Sequence, residues 1–408
     1  MTTFSEFTLR KSSLKALERM DIHTPTPIQA QSIPVLLEKR DLIAQAMTGS
    51  GKTLAFALPI MEHCDPDRRE VQAVVLTPTR ELARQVGSVL HDLSEGSHLR
   101  VTLLYGGVNY GPQETALRRG THVVVGTPGR ILDHLRRRTL KLDQLRLFIL
   151  DEADEMLDRG FAPDVERIMA MTPKDRLTAM FSATTPEWVQ KVAKRHMIDP
   201  VVITSENEEQ EPDIEQVVMD VFREDKFQVL IRLLREPLEG TTLVFGRTKH
   251  GVRNLGKKLG DMGFQVSVLE GNLGQNQRDR ALGRFRDGKS DILVATNVAA
   301  RGLDVLHIAR VINFDVPDSA ELMTHRIGRT GRMGRSGQAI TLVTATDLSK
   351  WHEIERKIGK LPRIPAPGIN GGSREHQPAQ RTAVQAAKPT KFGTKRFGRR
   401  GGRRLARA

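Results

Sequence analysis

Asp41-Leu-Ile-Ala-Gln-Ala-Met-Thr-Gly-Ser-Gly-Lys-Thr53 is the stretch from which the rest of the chain is read. Leu42 to Ala44 are a short apolar run suited to a buried strand, glycines follow, and from Thr53 onward the pattern predicts a helix. A strand, a glycine-rich turn and a helix in that order are the context of a phosphate-binding loop, with Ala46 where the general pattern has its first glycine. In the turn Thr48-Gly49-Ser50-Gly51 the two glycines lack side chains, so backbone N–H groups can approach phosphate oxygens at a helix start. Lys52 would reach the outer phosphates and the Thr53 hydroxyl would coordinate a magnesium ion. An ordinary glycine-rich turn is the plainer alternative, and the Gly-Lys-Thr between strand and helix argues against it.

A length of 408 residues predicts two or three domains with ample core. At 38% hydrophobic and 27% charged residues the chain reads as globular. No apolar run approaches a membrane span and the N-terminus lacks a signal-peptide core, so a cytoplasmic location is expected. The lone Cys64 has no disulfide partner and no companions for a zinc site, and reads as a packing residue. Net charge is +14, but from Gly371 to Ala408 eleven Lys and Arg face Glu375 alone, so this tail carries +10 of it. Nonspecific attraction to a polyanion is therefore expected mainly from the tail.

Around the loop, the residues from Thr2 to Arg19 suit a short amphipathic helix after an extended lead-in, and the prolines of Thr24-Pro-Thr-Pro-Ile-Gln29 precede a helix through Gln31 to Leu37. Apolar runs at Ala73–Leu76, Val101–Tyr105, Val123–Gly126, Leu147–Leu150 and Thr178–Phe181 alternate with helical stretches. That alternation predicts a mostly parallel sheet with helices on both faces. The acidic stretch 205–213 interrupts the pattern and reads as a linker between a first domain, 1–204, and a second, 214–360. Strands are expected there at Thr242–Phe245, Val266–Leu269, Asp291–Ala295, Val311–Phe314 and Ala339–Val343, followed by a short helix toward Lys360. Residues 361–408 read as a disordered Arg/Gly-rich tail.

Two further constellations carry chemistry. Leu147-Phe-Ile-Leu150 followed by Asp151-Glu-Ala-Asp154 puts carboxylates at the C-terminal end of an apolar strand, the edge where open parallel sheets bind ligands. Asp151 can hold magnesium and Glu152 can orient and deprotonate an attacking water. The run His325-Arg-Ile-Gly-Arg-Thr-Gly-Arg332 supplies arginines suited to charge developing on a transferred phosphoryl group.

Taken in order, these motifs resemble the DEAD-box ATP-dependent RNA helicases of superfamily 2, over roughly Phe4 to Val343. The likeness implies two tandem RecA-like α/β domains with ATP and Mg2+ as cofactors. Gln29 would read the adenine edge, an amide offering the donor and acceptor it needs, and Phe4 would stack on the base. Arg80 in Pro78-Thr-Arg-Glu-Leu82, Gly107, and Thr127-Pro128-Gly129-Arg130 would touch RNA in the first domain. Arg247, Gly271, Gln275, Arg278 and Thr296 would do so in the second, with Gly302 and Asp304 near the nucleotide. Ser182 and Thr184, with Asp154 and His325, would couple hydrolysis to strand separation. Arg329 and Arg332 would be arginine fingers. Departures from the family pattern are Met47 in the loop, Asp21 before the Gln29 motif, Met323 for an aromatic, and Asn297 for the commoner aspartate.

The resemblance implies that ATP and single-stranded RNA close the two domains together, and that duplex RNA is unwound locally and nonprocessively. An aromatic content of 4% leaves few side chains for base stacking, in keeping with backbone recognition. Two rival readings stay open at this point: an ATP-gated RNA clamp with little turnover, and a DNA translocase on the same plan. A monomer is expected. Ribosome-assembly and RNA-decay proteins are both open as partners. The short body and basic tail resemble bacterial RhlE-type members.

Overall fold

A computed structural model describes residues 3–46, 49–204, 213–297, 308–331 and 336–366. The first half is a seven-stranded, wholly parallel sheet of β1 (Leu42–Gln45), β2 (Ala73–Leu76), β3 (Val101–Leu104), β4 (Val123–Gly126), β5 (Leu147–Asp151), β6 (Leu177–Ser182) and β7 (Val201–Thr204). Their spatial order is β3-β4-β2-β5-β6-β1-β7. The helices on its faces include α1 (Lys11–Arg19), α2 (Pro27–Leu37), α3 (Lys52–His63), α4 (Arg80–Ser94), α5 (Tyr110–Arg118), α6 (Pro128–Arg136), α7 (Ala153–Asp158), α8 (Ala162–Met169) and α9 (Glu187–His196). Alternation along one strand accounts for the two layers. Leu147 and Ile149 of β5 enter a core with Phe56 of α3, while Phe148 and Leu150 enter the opposite core with Val165 and Ile168 of α8. Every residue of β2, β4, β5 and β6 is buried, the pattern of central parallel strands covered on both sides.

The second half repeats the plan with β8 (Ile214–Asp220), α10 (Lys226–Arg235), β9 (Thr241–Gly246), α11 (Lys249–Asp261), β10 (Val266–Leu269), α12 (Gln275–Arg286), β11 (Ile292–Thr296), β12 (Ile308–Asn313), α13 (Ala320–Ile327), β13 (Gly337–Val343) and α14 (Leu348–Ile358). Its six strands are parallel in the order β10-β11-β9-β12-β13-β8. The fold is thus α/β, with two parallel sheets each sandwiched by helices.

Two strands escaped the sequence reading, β7 and β8, which end and begin on either side of the acidic stretch. β7 is a sheet edge with Val202 63% exposed, so it lacks the continuous apolar run that marks a central strand. β8 is also an edge, and a further segment covers it. The Val218 N–H donates to the Pro362 carbonyl and the Ile364 N–H to that of Val218, each at 2.9 Å. Arg363 Nη1 lies 2.7 Å from both carboxylate oxygens of Asp220. Residues 361–366 therefore belong to the second domain, a correction to the tail boundary: composition reads Pro362 and Pro365 as the end of structure, whereas a bidentate ion pair and a bridge to an open edge hold them. The linker expected at 205–213, apart from Asp213, and the tail from 367 onward lie outside the described residues. Among the described residues no helix is long and apolar enough to cross a membrane.

Candidate nucleotide and nucleic-acid site

β1 delivers the phosphate loop to the C-terminal edge of the first sheet, where the Ala46 N–H donates to the Ser182 carbonyl at 2.9 Å. Gly51, with φ +89°, turns the chain into α3, and a Cβ there would lie 2.5 Å from Gln29 Nε2. That crowding reflects a brace. Gln29 Nε2 donates to the Gly51 carbonyl at 3.0 Å, Gln29 Oε1 accepts from the Thr26 N–H at 3.0 Å, and Thr26 Oγ1 donates to the Ser50 carbonyl at 2.8 Å. The buried Lys52 folds inward, its Nζ donating to the Ala46 carbonyl at 2.6 Å, and is held at the loop where a phosphate would draw it. Thr53 follows in the first turn of α3, next to Gly49, Ser50 and Gly51; Thr48 lies outside the described residues. Phe4 is closed into the first core, 4% exposed and edge-on to Phe7 at 6.1 Å.

The carboxylates gather at the end of β5. Asp151 is its last residue, and Glu152 caps α7 in a left-handed conformation, φ 54° and ψ 55°. Burial pushes the Asp151 carboxyl up to about 6, against the pull of the nearby Lys52 ammonium. Glu152 is raised further, by burial and by Glu155, which repels it and shares a hydrogen bond with it, while the Arg329 guanidinium works the other way. Glu152 Oε2 is buried with no hydrogen-bond partner. Asp154 holds the Ser182-Ala183-Thr184 segment: Thr184 donates to its Oδ2 from both N–H and Oγ1 at 3.0 Å, and its own N–H donates to Ser182 Oγ at 3.2 Å. Thr184 thus makes a hydroxyl–carboxylate bond, whereas the Ser182 hydroxyl meets the backbone.

The second half reaches this cluster through α13. Arg329 stands just beyond the helix end, 6% exposed, with Nε donating to the His325 carbonyl at 3.4 Å. Its charge acts on Glu152 across the cleft between the halves. Arg326, which the sequence reading did not single out, anchors the helix. It donates to Asn297 Oδ1 at 2.6 Å, Asn313 Oδ1 at 2.9 Å and the Asp315 carbonyl at 2.7 Å, and it stacks on Phe245. The unusual Asn297 therefore serves as a neutral acceptor for a buried cation. Arg332, Gly302 and Asp304 lie outside the described residues.

The residues expected on RNA divide into two groups. Arg80, at the start of α4, packs over Gly107, where φ is +81° and a Cβ would sit 2.0 Å from Arg80 Nη1. Arg80 Nη1 donates to Gln275 Oε1 of α12 at 3.2 Å. Arg278 pairs with Glu81 at 2.8 Å, and Arg84 with Asp279 at 2.5 Å. Pro78, Arg80, Gly106, Thr127, Gly129, Arg130, Gly271 and Arg278 line a single cavity of about 380 Å3 between the halves. Three candidates have contacts within the protein, and Arg247 keeps 45% of its side chain exposed. Arg130 donates to the Val108 carbonyl and Gln113 Oε1 while stacking on Tyr110 at 4.0 Å, so it shapes the loop behind Gly107. Arg247 pairs with Asp347 at 3.0 Å, and Thr296 is buried at the end of β11. Pro128 starts α6 with Thr127 as its cap.

Glu81, Arg84 and Asp279 were missed by the sequence reading, although a signal was available. Arg84 and Asp279 lie four residues beyond Arg80 and Gln275, so each falls on the helix face already assigned to the cleft.

Comparison with known proteins agrees with this geometry. Residues 26–192 match the DEAD/DEAH box helicase model and residues 225–334 the helicase conserved C-terminal domain. The DEAD-box ATP-dependent RNA helicase CshA of Geobacillus kaustophilus is 43% identical over 372 residues, 91% of this chain and 80% of that protein. The likeness to RhlE-type members rests on the sequence reading alone. Saccharomyces cerevisiae Dbp5 bound to RNA and ADP BeF3 superposes with a TM-score of 0.82 at 34% identity, covering 90% of this chain and 96% of that one. A variant of Dbp5 bound to Nup159, Gle1, IP6 and ADP gives 0.61 at 33% identity, covering 88% and 96%. The same fold scores differently in two liganded states, so the higher score includes how the halves are placed. With both halves matched in order and a relative this similar along nine-tenths of this chain, the chain belongs to the DEAD-box family of ATP-dependent RNA helicases.

Proposed function

We propose that this chain hydrolyses ATP in response to RNA and uses the cycle to separate short RNA duplexes locally, without processive travel. The observation that supports the reading is that Arg329 of the second half acts electrostatically on Glu152 of the first, pulling its carboxyl down against burial. Lys52 and the loop Thr48 to Gly51 hold the phosphates and Gln29 braces the loop beside the base. Glu152 positions and deprotonates the attacking water, and Arg329 and Arg332 meet the developing charge. By the family likeness Gly302 and Asp304 would contact the nucleotide, and Asp154, Ser182, Thr184 and His325 relay closure. Thr53 and Asp151 suit Mg2+: the crowded, buried carboxylates favour a cation, and two protein ligands match an ion that takes its remaining oxygens from phosphates and water. When bound, the cation neutralises phosphate charge.

RNA lies along Arg80, Gly107, the 127–129 turn, Gly271, Gln275 and Arg278, gripped by its backbone. Domain limits at 1–204 and 214–366, a monomeric state and a cytoplasmic location complete the reading. The clamp alternative has no observation in its favour. Matched RNA and DNA duplexes in unwinding and ATPase assays test the proposal: stimulation by RNA alone is expected, and equal use of DNA would overturn the RNA assignment.

Arg84 and Asp279 form a latch across the RNA cleft. Arg84→Asp or Asp279→Arg alone is expected to raise the RNA concentration for half-maximal ATPase by roughly two- to fivefold, the scale of an exposed ion pair. The double swap should recover it. Failure of the swap to recover, with both singles impaired, would show that the pair does not act across the cleft.

The tail supplies nonspecific affinity. Removing residues 372–408 takes away eleven cations and is expected to weaken RNA binding and flatten its dependence on salt. Unchanged binding across a salt series would exclude a role for it.

A further inference from the structure

The loop between β3 and α5 carries Gly106 and Gly107, and a buried amide stands behind it. Gln113 of α5 is 6% exposed. Its Nε2 donates to the Tyr105 carbonyl, just before the glycines, at 3.1 Å. Its Oε1 accepts from Arg130 Nη1 at 3.0 Å and from His134 Nε2 at 2.9 Å. Arg130 donates in turn to the Val108 carbonyl, just after the glycines, from both Nη1 and Nη2 at 3.1 Å. The two glycines are thus bracketed by carbonyls drawn toward one buried cluster.

The proton inventory gives this cluster one arrangement. Arginine only donates, so the Gln113 oxygen must face Arg130 and its NH2 group must face the Tyr105 carbonyl. The same oxygen can meet only a protonated Nε2 of the fully buried His134. Burial, and then the Arg130 charge, hold that imidazole below its ordinary pKa, so the ring is neutral near pH 7. Its Nδ1 is then an acceptor, and Thr139 Oγ1 lies 2.8 Å away to donate to it. With these partners fixed, the amide cannot flip without setting donor against donor.

A trans peptide is planar, with its N–H opposite its C=O, so a Tyr105 carbonyl held inward turns the Gly106 N–H outward. Among the described residues nothing in the protein accepts from the Gly106 or Gly107 N–H. Gly106 and Arg80 line the same cavity between the halves, and a Cβ at Gly106 would lie 3.3 Å from Arg80 Nη2. A backbone donor held beside a guanidinium suits a phosphate oxygen. We propose that Gln113 is a positioning residue for RNA: it draws the Tyr105 carbonyl inward and so presents the Gly106 N–H, next to Arg80, to one phosphate of the RNA backbone. The assignment rests on the RNA reading above and adds to it a residue that touches no RNA itself.

The test titrates the full chain with a uridine decamer in a saturating non-hydrolysable ATP analogue and magnesium while the Gly106 amide resonance is followed. In the parent its proton is expected to move downfield saturably, as a new hydrogen bond to phosphate requires, and this reads the donor without any substitution. Gln113→Glu keeps the size and both acceptor contacts of the side chain but cannot donate to the Tyr105 carbonyl. It is expected to displace the Gly106 resonance before RNA is added and to raise the RNA concentration for half-maximal ATPase about tenfold, the scale of one charge-assisted hydrogen bond. The KM for ATP and kcat at saturating RNA should stay within about twofold, a split that a general loss of structure does not produce. Decamer binding that leaves Gly106 unmoved, an unchanged RNA midpoint in Gln113→Glu, or a change in kcat or in the KM for ATP as large as that in the RNA midpoint would overturn the role of Gln113 alone. A parent that neither binds the decamer nor is stimulated by RNA would overturn the RNA reading, and this assignment with it.

Discussion

Glu152→Gln is expected to leave a protein that binds ATP and RNA but hydrolyses ATP about two to four orders of magnitude more slowly, the range of a lost general base. The substitution keeps the size and one oxygen of the side chain, so water could still be placed but not deprotonated. Geometry favours Glu152 over its neighbours for this task. Asp154 is held by Thr184, Glu155 pairs with Arg159 at 2.9 Å, and Asp151 faces Lys52, whereas Glu152 Oε2 is free of any partner. Stability gives a useful control. The carboxyl is raised by burial and by Glu155, so a neutral amide relieves repulsion, and the melting temperature should not fall. Single-turnover hydrolysis with RNA present is the measurement, and a rate equal to the parent's would remove Glu152 from the chemistry.

Much of this arrangement was legible in the sequence because each chemical group sits at the end of a strong apolar strand. β2, β4 and β10 fall at the residues that their apolar runs predict, and the phosphate loop, Asp151 and the Ser182 triplet all follow such runs at one edge of the same sheet. What escaped has physical reasons. β7 and β8 are edges, half-exposed, and their pairing is decided by neighbours far along the chain. Phe4 and Arg130 carry the right side chains for ligand contact, yet one fills a core and the other ties down its own loop. Sequence gives the type of a side chain and its spacing, and says nothing of whether its hydrogen bonds are already taken. Arg326 makes the same point in reverse. It lies between two residues of interest and reads as another basic loop residue, but its three neutral acceptors hold α13 against the sheet.

That anchoring bears on the second large effect, expected for Arg329→Ala: a fall in RNA-stimulated kcat of about three orders of magnitude or more, the scale of a lost arginine finger. Arg329 follows α13 directly, and Arg326 one turn earlier is fixed by Asn297, Asn313 and the Asp315 carbonyl, so the position of the guanidinium is set before the halves meet. Such preorganisation is what makes a cation effective in the transition state without a cost at the moment of reaction. Because the α4–α12 contacts of the RNA cleft are made by other residues, the RNA concentration for half-maximal stimulation should change far less than kcat. Arg329→Lys should not restore the rate, since a point charge on a flexible stem lacks the planar fork that reaches two oxygens together. A loss confined to RNA affinity, with kcat preserved at saturating RNA, would place Arg329 among the residues of the RNA cleft and leave the phosphoryl charge to other groups.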